Sequence, residues 1–222
     1  MKYRDLITAA LDQPLSGFEK RDVKSGTDNK AMIYAKGTKL VVAFMYTYGT
    51  IHDWLNNFKV WRRKVPTLNT VGSAHAGFVY EYNAIRAALL AAVKDLSPTE
   101  ITLTGFSQGA GHAILATMDF VTRFPGAKIS TTIFACPMVY DDRGAMNLDW
   151  FVGQCQVKVE RITAFRDLVT RSPGWVFGYR HCGEEKVVDG KRWWIFSSMK
   201  HHNPDYYTRL AEALDLIAEN KN

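Results

Sequence analysis

Gly105-Phe106-Ser107-Gln108-Gly109 sets one serine between two glycines at the spacing that allows a hydroxyl to act as a nucleophile. Upstream, Ile101-Thr102-Leu103-Thr104 alternates β-branched and apolar residues as a strand does. Downstream, Ala110-Gly111-His112-Ala113 is a run of mostly small residues suited to a closely packed helix. A strand, tight turn and helix with serine at the turn is a nucleophile elbow: the turn strains the serine backbone and lifts its hydroxyl to the top of a sheet. Positions two residues to either side must then be small, and Gly105 and Gly109 meet that demand. The chemistry served by such a serine is acyl transfer. A bare G-x-S-x-G also arises by chance, so it is the flanking strand and helix that give the pattern weight.

A serine hydroxyl is a weak nucleophile near neutral pH, and acyl transfer needs a histidine to take its proton and an acid to orient that histidine. Behind an elbow of this kind the partners follow in the order Ser, Asp or Glu, His. Asp167 ends the strand-like Arg161-Ile162-Thr163-Ala164-Phe165-Arg166 and is the first candidate for the acid, with a turn or helix cap as its plain structural alternative. Asp141 and Asp142, after Pro137, are weaker candidates. Three histidines follow Asp167. His181 lies in a strand-edge segment, where a structural role is expected, whereas His201 and His202 share a loop just before the last helix, where the base of this order belongs. A metal role for the pair lacks a carboxylate or cysteine at ligand spacing. The oxyanion formed on attack requires two N–H donors. One is expected from the backbone of Gln108, the other from the Met45 to Thr50 loop that follows the strand Leu40 to Phe44.

The elements that must carry these residues are readable from periodicity. Tyr3, Leu6, Ile7, Ala10 and Leu11 share a helical face that Pro14 ends. Ala31–Ala35 and Thr38–Phe44 read as strands joined across Lys36-Gly37. A long helix is predicted over Gly77–Lys94, strands over Ile129–Ala135 and Val157–Phe165, a helix around Met146–Val152 and a closing helix over about Asp205–Glu219. This alternation implies an α/β chain with a mainly parallel sheet covered by helices on both faces. Val187–Phe196 breaks it, because Asp189-Gly190 between β-rich arms signals a hairpin.

At 222 residues, with no linker-like composition shift, residues 1–222 are expected to form one domain. The longest apolar runs are too short to cross a bilayer, and the first residues lack the apolar core of a secretory signal, so the cytoplasm is the expected compartment. Cys136, Cys155 and Cys182 show no C-x-x-C spacing; buried free thiols are expected over a Cys155–Cys182 bridge. The formal charge of +6 favours anionic surfaces without choosing among them.

Beyond the elbow, several ordered segments resemble the class 3 lipase family. Leu40-Val41-Val42-Ala43-Phe44 followed by Asp53-Trp54-Leu55-Asn56-Asn57 is similar to its strand and Asp-Trp segment, and His75-Ala76-Gly77-Phe78 to its His-x-Gly-Phe start of a helix. Cys136-Pro137 stands where the family has Ser-Pro, Asp167-Leu168-Val169 resembles its Asp-Ile-Val, and His181-Cys182-Gly183-Glu184 its His-x-Gly element. His202 with Tyr207 five residues on is similar to the pattern at the family's catalytic histidine, and this spacing alone selects it over His201. The matches run from about residue 31 to 216. They imply an α/β-hydrolase fold, a Ser107, Asp167, His202 triad, and hydrolysis of carboxylic esters with no metal and no organic cofactor. Two departures stand out. Met45-Tyr46-Thr47 replaces the family's Arg-Gly-Thr or Arg-Gly-Ser, leaving Thr47 as first choice for the second oxyanion donor and Gly49-Thr50 as the rival register. Where the family has a lid, Asn57–Ala74 here holds Trp61-Arg62-Arg63-Lys64-Val65-Pro66, which reads as a basic strand and points to a short or absent lid.

The sequence therefore leads to a lipase or esterase acting on small-molecule or lipid esters. Phospholipase A-type activity on anionic phospholipids is an alternative, carried by Arg62, Arg63, Lys64, Lys191, Arg192, Trp193 and Trp194, although such a run more often forms a solvated face. A second alternative is a binding protein that keeps the hydrolase fold but has lost catalysis through its altered oxyanion segment. No segment resembles a known nucleic-acid motif, so no nucleic-acid partner is expected. Acyl chain length, headgroup and oligomeric state leave no signature in the sequence.

Overall fold

The structure is a computed structural model that describes residues 1–24, 30–45, 62–64, 72–188 and 201–220, the segment 62–64 by its backbone only. Helix α1 (Tyr3–Ala10) is followed by strands β1 (Glu19–Lys24), β2 (Lys30–Lys36) and β3 (Lys39–Phe44). Short strands β4 (Arg62–Lys64) and β5 (Ser73–His75) precede helix α2 (Ala76–Lys94), strand β6 (Glu100–Phe106), helix α3 (Gln108–Arg123) and strand β7 (Lys128–Phe134). Then come β8 (Tyr140–Asp141), α4 (Asp142–Gln154), β9 (Lys158–Thr163), β10 (Tyr179–Arg180), β11 (Glu184–Val187) and α5 (Pro204–Glu219).

Among the described residues the main sheet has the order β1-β2-β3-β6-β7-β9-β11. Strands β3, β6, β7, β9 and β11 run parallel, and β1 and β2 add antiparallel at one edge. A smaller antiparallel sheet joins β10, β8, β5 and β4. This is an α/β-hydrolase fold with a mainly parallel central sheet. Its central strands read as continuous apolar runs because both faces are covered. On β3, Leu40, Val42 and Phe44 face a core shared with α2, α3 and α4, while Val41 and Ala43 face a second core shared with α1 and α5. Large apolar side chains in these cores are almost fully buried, each contributing about 1.5–3 kcal/mol over its exposed state.

Most predicted elements are present within a residue or two, including the β2–β3 hairpin, which turns at Gly37 with φ of 58°. One strand is added and two readings change. Strand β1 was not visible in the pattern, because Glu-Lys-Arg-Asp-Val-Lys buries only Val23. It is held at the sheet edge by pairing with β2 and by Lys20 and Lys30, which bridge Asp12 and Asp22. The arm beginning at Val187 is the end of β11, which starts three residues earlier and pairs in parallel with β9; the rest of that expected hairpin, Asp189 to Phe196, lies outside the described residues. Finally, all three cysteines are free, but Cys155 is exposed rather than buried. The basic segment Arg62–Lys64 is a strand, as expected, pairing antiparallel with β5. No described helix is long and apolar enough to cross a membrane.

Candidate active site

Ser107 follows the last residue of β6 and precedes the first of α3, with φ of 55° and ψ of −118°. A non-glycine residue rarely holds such a backbone, and the strain of about 1–3 kcal/mol persists only where the surroundings over-determine it. Those surroundings are the two glycines. A Cβ on Gly105 would lie 2.6 Å from the amide nitrogen of Ala110, and one on Gly109 would lie 2.9 Å from the carbonyl carbon of Phe44. The G-x-S-x-G spacing is thus the condition for β6, α3 and the end of β3 to meet around the serine. The turn is pinned further by the Ser107 N–H, which donates to the Phe134 carbonyl at 3.0 Å.

The acid arrives from β9. Four residues past its end, Asp167 lies in a turn with both carboxylate oxygens engaged. Oδ1 accepts the Val169 N–H at 2.8 Å, capping a short 3-10 turn, and Oδ2 accepts from the Nδ1 of His202 at 2.8 Å. The capping role and the acid role of Asp167 are therefore compatible, one oxygen serving each. His202 comes from the loop before α5, and its Nε2 lies 2.8 Å from the Ser107 Oγ. With Nδ1–H donated to a carboxylate that can only accept, Nε2 is the acceptor for the serine hydroxyl. The His202 and Asp167 side chains are 0% exposed and Ser107 is 6% exposed, so the array is shielded except at the nucleophile. Phe106, the residue before the serine, lies against the His202 ring at 5.0 Å between centroids.

One member of this cluster was not assigned a role from sequence. Tyr207, fully buried on the first turns of α5, donates its hydroxyl to Asp167 Oδ2 at 2.8 Å and accepts the Ala164 N–H at 3.0 Å. It ties the acid to both the end of β9 and the helix that follows the base. Its position five residues after His202 was the available signal.

The remaining candidates lie elsewhere. Asp141 caps α4 through the Gly144 N–H at 2.7 Å, and Asp142 pairs with Arg180. His201 stands edge-on to Tyr206. His181 places Nε2 2.6 Å from the Thr170 carbonyl, a structural role; burial, assisted by the charge of Arg161 and opposed by that hydrogen bond, lowers its pKa to about 3. Cys136 is buried, and burial pushes its thiol up to about 12. Gln108 opens α3 directly after the nucleophile, where its backbone was expected to serve the oxyanion. The Phe44 and Met45 carbonyls abut Gly109, so β3 delivers the start of the donor loop to the elbow. Thr47, the Gly49-Thr50 alternative and the Trp61, Lys191, Arg192, Trp193 and Trp194 positions lie outside the described residues, as does most of the Asn57–Ala74 lid span. No group of three or more potential metal ligands occurs among the described residues.

Residues 41–177 match the family described as lipase (class 3). The chain belongs to the class 3 lipase family. It is similar to the phospholipase A1-IIdelta of Arabidopsis thaliana, 29% identical over 61% of this chain and 34% of that protein. It is also similar to the secreted mono- and diacylglycerol lipase 1 of Fusarium solani, 31% identical over 63% of this chain and 41% of the relative. The chain thus spans less than half the length of these curated relatives. A crystal structure of the lipase from Rhizopus microsporus var. chinensis superposes with a TM-score of 0.69 at 20% identity, covering 85% of this chain and 70% of that one, which supports the shared fold. Within this class 3 lipase family chain, Cys136 and Pro137 are both buried.

Proposed function

We propose that this protein is a serine hydrolase that cleaves carboxylic acyl esters through an acyl-enzyme on Ser107. The observation that carries the reading is the continuous chain of hydrogen bonds from Ser107 Oγ through His202 to Asp167, 2.8 Å at each step, with the serine held in a strained elbow. Ser107 Oγ attacks the ester carbonyl carbon as His202 Nε2 removes its proton, and Asp167 stabilises the imidazolium that forms. The tetrahedral oxyanion is met by the Gln108 N–H and a donor of the loop after β3, with Thr47 the first choice. His202 then gives the proton to the departing alkoxide oxygen, leaving the acyl group on Ser107. Water attacks that acyl-enzyme, loses its proton to His202, and the acid leaves as Ser107 recovers its hydrogen.

The test is turnover of p-nitrophenyl esters of graded chain length, with labelling by a fluorophosphonate probe, in wild type and Ser107→Ala. Labelling and turnover that vanish together in the variant support the mechanism. Equal rates in both proteins remove Ser107 from it.

A second reading takes the ester to be an anionic phospholipid. It is favoured by Trp175, Val176 and Phe177, which are 71%, 73% and 53% exposed on one short turn between Arg171 and Arg180. Adjacent large apolar side chains in water usually mark an interaction surface, and tryptophan flanked by arginine suits a negatively charged lipid interface. The turn belongs to the segment that follows Asp167 in the chain. Vesicles containing phosphatidylglycerol should be bound and hydrolysed better than pure phosphatidylcholine vesicles. Trp175→Ala with Phe177→Ala should remove that advantage while hydrolysis of a soluble short-chain ester continues; loss of neither binding nor hydrolysis would discard this reading. The free thiols, one of them exposed, support a reducing compartment such as the cytoplasm.

A further inference from the structure

We propose that Glu81 is a positioning residue for the oxyanion hole, holding the first turn of α3, and with it the Gln108 N–H, in register with β3. The proposal rests on the ester-hydrolase reading above. Glu81 lies on α2 and takes no part in the proton relay. Its Oε2 accepts from the Gln108 side-chain amide at 2.7 Å and contacts His112 Nε2 at 2.8 Å. Gln108 and His112 are four residues apart, so they share one face of α3, and both are buried. A single carboxylate on a neighbouring helix therefore grips two successive turns of the helix that starts at the nucleophile.

The grip extends to the third wall of the hole. The His112 ring lies 5.6 Å from that of Phe78 on α2, edge-on, and 6.3 Å from that of Phe44, the last residue of β3. The backbone of Phe44 abuts Gly109. Glu81, Gln108, His112 and Phe44 thus link α2, the first turn of α3 and the point where β3 releases the donor loop. Any rotation of that first turn moves the Gln108 N–H and the Gln108 side chain together, so holding the side-chain amide restrains the direction in which the N–H points. Preorganised donors stabilise an oxyanion only when they are already aimed at its position. Burial alone would push the Glu81 carboxyl up, yet the hydrogen bonds from His112 and Gln108 outweigh burial and hold it below the ordinary carboxylate range. The acceptor is therefore in its ionised form at neutral pH, where a charged acceptor makes the stronger hydrogen bond.

The test is hydrolysis of p-nitrophenyl butyrate by wild type, Glu81→Ala, Glu81→Gln, Gln108→Ala and the Glu81→Ala/Gln108→Ala double variant. Rates are expressed per active site titrated with fluorophosphonate, which removes any contribution from misfolded protein. Glu81→Ala and Gln108→Ala should each lower kcat by about tenfold or more, with KM within about twofold, because the lost interaction acts on the oxyanion rather than on substrate binding. Glu81→Gln keeps an acceptor oxygen and should recover most of the rate. The double variant should be slower than Gln108→Ala by less than the factor that Glu81→Ala costs alone, since both changes cut the Gln108 link and only the His112 contact is lost in addition. A Glu81→Ala kcat within twofold of wild type, or a double variant in which the two losses multiply, overturns the positioning role. If Glu81→Ala does not fold, a wild-type kcat in Gln108→Ala overturns it instead. Absence of Ser107-dependent turnover in the wild type overturns the ester-hydrolase reading and this role with it, whereas turnover unaffected by the variants overturns this role alone.

Discussion

Asp167 shows how much one side chain can be asked to do: it caps a turn, orients a base and anchors Tyr207. Replacing it with Asn keeps the shape but offers a donor where an acceptor is needed. Asp167→Asn should therefore lower kcat by up to about 10⁴-fold with little change in KM, measured on a soluble ester. Tyr207→Phe is milder in chemistry and harsher in structure. It leaves the buried Ala164 N–H without its acceptor, so stability should fall by about 1–3 kcal/mol in urea unfolding, and kcat should fall by up to about 10²-fold as the acid loosens. The grouping of Ser107, Asp167 and His202 was legible in the sequence because the order of such partners along a chain is constrained, and the spacing to Tyr207 chose His202 over His201. The hydrogen bond from Tyr207 to Asp167 and the contacts of Glu81 were not. Both residues sit inside helices, where a polar residue that reaches a buried partner has the same spacing as one that faces water.

At the scale of elements, the elbow trades stability for a reactive geometry. Ser107→Gly relieves a backbone that only glycine holds comfortably, so it should melt higher than Ser107→Ala, by an amount equivalent to about 1–3 kcal/mol, while both are inactive. A melting temperature equal to that of Ser107→Ala would show that the turn carries no strain. Elements with a dense apolar period, α2, α3, β2, β3 and β6, could be read directly. Strand β1 could not, because an edge strand with one buried residue has no alternation to detect, and its charged side chains also discourage pairing with a foreign strand. The small sheet, apart from the basic strand β4, was equally hidden. Strands β8 and β10 span two residues each, shorter than any pattern can register, and form because tertiary contacts bring Tyr140–Asp141 beside Tyr179–Arg180.

Across the whole molecule, His181 and the three cysteines set its response to acid and to thiol reagents. His181 is neutral in the folded chain, with a pKa lowered to about 3 from an ordinary 6.5. The unfolded chain therefore binds a proton that the folded chain refuses between those values. Stability from this group is complete above about pH 6.5 and is lost as the pH falls toward 3, at up to about 1.4 kcal/mol per pH unit. His181→Asn, which keeps a donor for Thr170, should flatten that limb of a plot of urea midpoint against pH. The thiols should divide in a similar way. Cys155 should react with a disulfide reagent in the native protein, while Cys136 and Cys182 should react only after unfolding, giving one fast equivalent out of three.

The two ends of the described chain meet across one face of the sheet. The Asp215 carboxylate of α5 accepts the N–H groups of Tyr3 and Arg4 at 2.8 and 2.9 Å, and Lys2 pairs with Glu219 at 2.7 Å. His202 precedes α5 directly, and Tyr207 lies within it. The clasp between α1 and α5 therefore also holds the base and the tyrosine that steadies the acid. Asp215→Ala should slow fluorophosphonate labelling of Ser107, and a labelling rate equal to that of the wild type would show that the base keeps its place without the clasp.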